Sequence, residues 1–252
     1  MAWQNPKTDW SPEDGVLNSD FNRIEGNLQY LFDNRALQAK NLIKYFVSAS
    51  GSDANDGLTA STPFKTIQKA IDSLPKDLGG YNATIDLSDD YHAGFTAAGF
   101  TGGTLIFSGA SNASVGFTSA ITITECSSVL FTGLSYVSLQ GSLMVYNTQS
   151  LISNISFTAT NNAGHAVLIR QSNAAFLDSL QATSNAAGAA LYADYNSNVF
   201  VESLVIMPGS GTGIQSDRGA KVAYSSLSNR ADVATFMQRG GRIVSGQGGL
   251  NA

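Results

Sequence analysis

Short runs in which apolar and polar residues alternate recur along the chain from about residue 83 to its end. Alternation with a period of two is typical of β-strands that bury one face. Repeats about 20 to 25 residues long with no room for a helix predict a parallel β-helix, in which each coil stacks on the one before it. The five clearest repeats begin at Ala120, Gly141, Ala166, Ala190 and Gly213.

Three columns of apolar residues run through these repeats. Because their members stay apolar from one coil to the next, we expect them to form ladders inside a continuous core. The first column holds Val129, Ala175, Val199 and Val222; the second holds Phe131, Ile152, Leu177, Val201 and Tyr224; the third holds Leu134, Ile155, Leu180, Leu204 and Leu227.

A different pattern marks residues 1–44. Apolar residues spaced by three and four positions predict one helix from Ser19 to about Ala39, and Ser11-Pro12 has the character of an earlier helix start. The apolar stripe spans less than two heptads, so we expect other chains to supply its partner surface. The stripe consists of Phe21, Ile24, Leu28 and Leu31.

Residues 45–82 carry the pattern of a cap. A strand at Tyr45–Val47 is followed by the turn-rich loop Gly51–Gly57 and by a helix that places Ile67 and Ile71 on one face. The open end of a β-helix exposes unpaired backbone groups, and this segment is expected to cover them. The predicted organisation is therefore an attachment segment (1–44), a cap (45–82) and an all-β shaft (83–252).

Composition and charge limit the classes of partner that the protein can bind. The net charge is −5, and Arg170 is the only lysine or arginine between Ala83 and Met207, which argues against a nucleic-acid partner. Cys126 is the sole cysteine, so an intramolecular disulfide is excluded. No apolar run is long enough to span a bilayer, and the start lacks the pattern of a signal peptide. We expect a protein made in a cytoplasm and without membrane partners.

Two stretches resemble a known family. Residues 45–57 with 62–71 are similar to the N-terminal cap of pectate-lyase-like right-handed β-helix proteins, a cap that is common in phage tailspikes, and residues 121–134 are similar to one coil of them. The opening from Trp3 to Trp10, together with residues 21–25, resembles the start of tail-associated structural proteins from phages and prophages of Gram-positive bacteria. The resemblance implies a right-handed parallel β-helix on a trimeric virion appendage, located in the virion and assembled in the host cytoplasm, and attachment to other virion proteins through residues 1–44.

Two sets of titratable residues are candidates for chemistry within the repeats. Asp178 and Glu202 fall in one column, and carboxylates one strand spacing apart would suit a retaining glycosidase. Two solvated acids on an outer face are the competing interpretation. Asp194 and Asp217 share another column beside Arg170, where they would either bind Ca²⁺ or form a ladder with the arginine.

A third acidic group precedes the repeats. Asp86, Asp89, Asp90 and His92 form the densest cluster of titratable residues, which suggests a metal site or, alternatively, an ordinary turn. The calcium aspartates and catalytic base implied by the pectate-lyase resemblance have no counterpart in the sequence. We therefore expect no cofactor.

Apolar residues on the outside of the shaft predict a contact surface. One column between the inward ladders is expected to point away from the core, and an exposed apolar row is rarely left uncovered. It would serve as a subunit interface or as a groove in which glycan rings stack. The residues of this surface are Leu130, Leu151, Phe176 and Phe200, with Tyr192 and Tyr195 nearby.

The sequence favours a non-enzymatic virion appendage, a homotrimer of the tail fibre or spike, collar or head-fibre type, that presents a surface for host attachment. Two alternatives stay open. One is a receptor-binding protein that recognises host cell-wall glycan, and the other is a tailspike depolymerase that hydrolyses or eliminates a surface polysaccharide.

Overall fold

The computed structural model describes most of the chain. The chain divides into two compact units, and the boundary lies between residues 41 and 42. The described residues are 5, 7–9, 11, 13–39, 43–153, 156–161, 164–176, 179–184, 188–206, 212–229, 235–237 and 240–245. Side chains are described for all of these except 30–39, 110–112, 135–136, 156, 161, 175–176, 184, 227–229, 235–237 and 245.

The N-terminal unit contains the helix α1 (Asn18–Ala39), which confirms the helix predicted from the apolar stripe. Its first turn is closed by Asp20, whose carboxylate accepts the Leu17 N–H at 3.0 Å. The helix predicted at Ser11 is wrong for the residues described there. Asp14 accepts the Ser11 N–H at 2.9 Å in a turn, and Gly15 follows without continuing a helix.

The second unit is a parallel β-helix, and each strand pairing that the structure describes is parallel. The elements after α1 are β1 (Ile43–Val47), α2 (Ile67–Asp72), β2 (Ala83–Leu87), β3 (Tyr91–His92), β4 (Thr96–Ala98), β5 (Thr104–Phe117), β6 (Ile121–Thr124), β7 (Ser128–Gln140), β8 (Leu143–Tyr146), β9 (Ser150–Ser153), β10 (Ser156–Asn161), β11 (Val167–Arg170), β12 (Asn173–Phe176), β13 (Ser179–Ser184), β14 (Ala189–Asp194), β15 (Asn198–Ile206), β16 (Thr212–Ser216), β17 (Lys221–Asn229), β18 (Thr235–Met237) and β19 (Arg242–Ser245).

Three strand faces surround the core. Face 1 is the sheet β18-β16-β14-β11-β8-β6-β4. Faces 2 and 3 belong to one larger sheet, because the long strands β5, β7, β15 and β17 bend from one face into the next. The strand β7 shows this directly: its first part pairs with β9 on face 2, and its second part pairs with β10 on face 3.

Strand register confirms apolar ladders but changes their membership. On face 2, Val129 pairs with Leu151, Leu151 with Ala174 and Ala174 with Val199, so Ala175 does not belong to the first column. The second column contains Ser153 in place of Ile152. The third contains Val137 and Phe157 in place of Leu134 and Ile155, and Ile155 and Leu177 lie outside the described residues.

A difference in turn length explains why Ala175 does not lie in the first column. Arg170 pairs with Asp194, and Asn173 pairs with Asn198. Two residues separate the first partners, Arg170 and Asn173, whereas three separate Asp194 from Asn198. The register returns by Leu180, which pairs with Leu204 as predicted. A one-residue slip turns a side chain to the opposite face of a strand, so the columns between the two turns were misassigned.

The turns that follow face 1 share one backbone conformation. A positive φ recurs at the same place in successive coils, and the turns stack through backbone hydrogen bonds such as Glu125 N–H to the Tyr146 carbonyl at 3.0 Å. Only Gly adopts this conformation without strain, so the stacked turns hold several other residue types in it. The positions are Gly99, Glu125, Asn147, Gln171, Tyr195 and Arg218.

Beneath these turns runs a buried ladder of hydroxyl groups. The Ser172 hydroxyl accepts the Thr148 N–H at 3.0 Å and donates to the Arg170 carbonyl at 2.7 Å. One coil further on, the Ser197 hydroxyl accepts the Ser172 N–H at 3.3 Å. Each serine thus satisfies a backbone donor of the preceding coil that has no access to water.

The strand and the helix predicted for the N-terminal cap are present as β1 and α2. The loop before α2 folds back on β1, and Phe64 N–H donates to the Phe46 carbonyl at 2.9 Å. Asp53 holds the loop in place, since its carboxylate accepts the N–H groups of Lys65 and Thr66 at 2.9 Å each. Burial raises the pKa of Asp53, but these hydrogen bonds outweigh it and leave the pKa below its ordinary value.

Candidate functional sites

The carboxylate pair predicted for glycoside hydrolysis is only half described. Glu202 is exposed on β15, and its carboxylate accepts a hydrogen bond from the Ser225 hydroxyl at 3.1 Å. Asp178 lies outside the described residues. The separation of the two carboxylates therefore stays a prediction.

The acidic cluster before the repeats divides among separate partners. Asp86 pairs with Lys44 at 2.7 Å, Asp89 accepts the Ser114 N–H at 3.2 Å, and Asp90 accepts the Tyr91 N–H at 2.7 Å. His92 turns into the core, where it is 3% exposed and burial lowers its pKa. Among the residues that the structure describes, no three such groups come together as metal ligands.

Asp194 forms a ladder with arginine, one of the two arrangements predicted for its column. Its carboxylate is fully buried and lies 3.3 Å from Arg170 and 2.8 Å from Arg218, which occupy the coils before and after it. Asp217 is also buried, and its carboxylate accepts the Arg218 N–H at 2.7 Å. Because one carboxylate oxygen of Asp194 lies against both guanidinium groups and the other accepts the Tyr195 N–H at 2.9 Å, Asp194 offers little to a cation.

The two candidate tyrosines differ in exposure. Tyr195 is 41% exposed, and its ring lies 4.3 Å from the Arg218 guanidinium carbon and 5.3 Å from that of Arg170. The prediction that Tyr192 is exposed is wrong, because it is only 8% exposed. Its ring stacks on His165 with centroids 4.4 Å apart, and His165 accepts the Ala189 N–H through Nδ1 at 2.8 Å.

The outward apolar column requires correction. Leu151 faces the core and is 1% exposed, so it cannot belong to an external surface. The backbone of Phe176 pairs with Ser153 and Val201 in the second column, and its side chain lies outside the described ones. Leu130 and Phe200 remain on the outside of face 2. They share one column with residues that the repeat alignment missed.

We call this column the face-2 stripe. Its members occupy consecutive register positions along the helix axis. Phe200 is 39% exposed, and Ile106, Leu130, Ile152 and Val244 are partly exposed. The stripe consists of Ile106, Leu130, Ile152, Ala175, Phe200, Ala223 and Val244.

Sequence reasoning missed a groove at the N-terminal end of face 3. It has a volume of about 420 Å³ and places Asp89, Asp90 and Tyr91 along one wall. Tyr91 is 62% exposed and pairs with Gly116, where a Cβ atom would lie 2.3 Å from the tyrosine ring. Only glycine lets the ring lie this close to the strand. The acidic cluster indicated this part of the chain in the sequence. The side of the strand on which the Tyr91 ring lies depends on the pairing of β3 with β5.

The predicted attachment residues are described in part. Phe21, Ile24 and Leu28 are 56%, 46% and 59% exposed on α1. Trp3 and Trp10 lie outside the described residues, as does the side chain of Leu31. Within the described part of the chain, no helix has the length and apolar character needed to cross a membrane.

Comparisons with known proteins identify no relative of this chain. No family model, no curated protein and no solved structure matches this chain.

Proposed function

We propose that the protein is a structural appendage of a bacteriophage virion, built as a homotrimer that attaches through residues 1–44. The observation that carries the proposal is the apolar stripe of α1. Phe21, Ile24 and Leu28 are each about half exposed, although their spacing is that of a helix–helix contact. Other copies of the chain, together with a virion protein, would cover them.

The β-helix suits such a role. Its strands pair in parallel over consecutive coils, and each coil is fixed to the next by backbone bonds and by ladders of apolar side chains. A solenoid of this kind is a rod that holds a surface at a distance from its base. We place this rod on the virion because the opening residues resemble tail-associated phage proteins.

Immunogold electron microscopy tests the location. Antibodies against the purified protein should label particles released from the cells that carry this gene, at an appendage of the tail, collar or head. Particles lacking the protein should be unlabelled. Gold confined to cell debris, with bare particles in the same preparation, would overturn the proposal.

A second candidate function, recognition of host cell-wall glycan, is favoured by the groove at Tyr91. Sugars stack their apolar ring faces on exposed aromatic side chains and donate hydroxyl protons to carboxylates, and the groove offers Tyr91 beside Asp89 and Asp90. Face 3 continues from it with a hydroxyl and an amide group at outward positions, on Ser138 and Gln181.

Binding of the fluorescently labelled protein to intact host cells, competed by soluble cell-wall glycan, tests this second function. Tyr91→Ala should abolish the competed binding. Tyr195→Ala removes another exposed tyrosine and should leave it unchanged. Equal binding by the wild-type protein and Tyr91→Ala would exclude the groove as the glycan site.

A further inference from the structure

Faces 2 and 3 of the β-helix differ in what they present to the outside. Face 2 carries the face-2 stripe, whose large members are aliphatic or aromatic. The equivalent outward column of face 3 holds mainly small and hydroxyl-bearing residues, such as Gly116, Ser138 and Thr158. Both columns lie on the same β-helix, so a general tolerance of apolar residues at its surface does not explain the difference between them.

The face-2 stripe runs parallel to the helix axis. It contains seven positions at strand spacing, which gives it a length of roughly 29 Å. A straight stripe along the axis of a rod is matched by the same stripe on a second rod placed beside it. Copies arranged around an axis parallel to the rod all turn this stripe inward.

The two borders of the stripe carry opposite charges near its C-terminal end. On one side, Lys221 and Arg242 are register partners, and both are exposed. On the other side lies Glu202, which is also exposed. In a ring of parallel copies, one border of each chain meets the other border of its neighbour. The cationic border of one copy then lies beside the glutamate of the next, which favours a parallel arrangement of identical chains.

We propose that the face-2 stripe is the lateral interface between three parallel copies of this chain, with Lys221 of one copy next to Glu202 of its neighbour. This inference rests on the proposed homotrimer and adds a contact that is separate from α1. The partner is a second copy of the chain. The apolar stripe of one copy matches the stripe of another, and the cationic border of one copy matches the glutamate border of another. Face 3, with the groove at Tyr91, then faces outward.

Cross-linking of the full-length chain tests the interface. The double variant Glu202→Cys/Lys221→Cys, treated with a short bis-maleimide, should give a covalent trimer on a denaturing gel, because each link joins neighbouring copies around the ring. The wild-type chain should not react, since its one cysteine, Cys126, is buried. Ser138→Cys/Gln181→Cys places the same number of thiols on face 3 and should yield monomers.

A second variant separates this inference from the proposed function. Leu130→Glu/Phe200→Glu should lose the native trimer in light scattering, while circular dichroism shows that the chain still folds; Ser138→Glu/Gln181→Glu should keep the trimer. If Leu130→Glu/Phe200→Glu is still trimeric and Glu202→Cys/Lys221→Cys gives no covalent trimer, the face-2 interface alone is overturned. A wild-type chain that is monomeric would overturn the proposed homotrimer as well.

Discussion

The carboxylate of Asp194 lies 2.8 Å from the guanidinium of Arg218, and this contact joins two neighbouring coils at one corner of the β-helix. The same carboxylate oxygen lies 3.3 Å from Arg170 on the preceding coil. The other oxygen accepts the Tyr195 N–H at 2.9 Å. Asp194 therefore connects three coils at the place where the turns adopt a positive φ.

Replacing Asp194 by asparagine should destabilise the protein by about 2 kcal/mol, a typical cost for losing hydrogen bonds to a charged group. The variant keeps the size of the side chain but leaves Arg170 and Arg218 without their buried counter-charge. Both arginines are about one-third exposed, which limits the loss. Urea unfolding measures the change. Glu125→Gln, at an exposed position of an equivalent turn, should stay within about 0.5 kcal/mol of the wild type.

The hydroxyl ladder makes a second prediction. Ser197→Ala removes the side-chain acceptor of the buried Ser172 N–H, and an unsatisfied buried donor costs about 1 to 3 kcal/mol. The free energy of unfolding should fall by that amount. Ser128→Ala changes a serine on the outer side of a strand and should have a much smaller effect. Equal effects of the two substitutions would contradict a supporting role for the ladder.

The aromatic stack in the core gives a third prediction. The Phe131 ring is fully buried and stacks on Phe107 with centroids 5.0 Å apart. Phe131→Ala should cost about 3 to 5 kcal/mol, because it removes buried apolar surface and leaves a cavity. Leu58→Ala, at a residue that is 58% exposed, should cost little. Thermal denaturation followed by circular dichroism compares the two variants.

Acid should weaken the fold through its two histidines. Burial lowers the pKa of both His92 and His165 from the ordinary value of 6.5, and Arg170 lowers that of His165 further. The unfolded chain therefore binds more protons than the folded one below this pH, so stability decreases as the pH falls from 6.5 through the folded pKa values. Protonation of His165 at Nδ1 would also remove the acceptor of the Ala189 N–H.

Melting temperatures measured between neutral pH and pH 5 test this dependence. The wild-type value should fall with pH, and His92→Gln combined with His165→Gln should flatten the curve while lowering stability at neutral pH. If the wild-type melting temperature is constant over that range, the histidines do not act as described. Asp53 contributes only at lower pH, since its pKa in the folded chain lies below 3.8.

The sequence predicted the β-helix, the strand and the helix that precede it, and helix α1, because each depends on a local pattern. Alternation marked strands such as β6 and β8, and spacing by three and four marked α1. Which side chains share a column depends on turn length, and the extra residue between Asp194 and Asn198 cannot be read from alternation. That residue moved Phe176 into a predicted outer column to which it does not belong. Leu151 entered the same column because the repeat that begins at Gly141 was aligned one residue out of register, as the pairing of Leu130 with Ile152 shows.

The candidate sites were predicted less completely. The arginine ladder followed from columns that were aligned correctly on face 1, where Arg170 pairs with Asp194. The burial of Tyr192 depends on the His165 ring, which reaches it from another turn. The groove at Tyr91 depends on the two-residue strand β3, and so short a strand has no pattern of its own.

Multi-angle light scattering of the purified full-length protein at micromolar concentration tests the central claim most directly. The account predicts one species with three times the chain mass of 26.4 kDa. The substitution pair Phe21→Ser/Leu28→Ser should shift this species toward smaller masses, because α1 then loses its apolar stripe. A single wild-type species of 26.4 kDa, unchanged by concentration, would contradict the account.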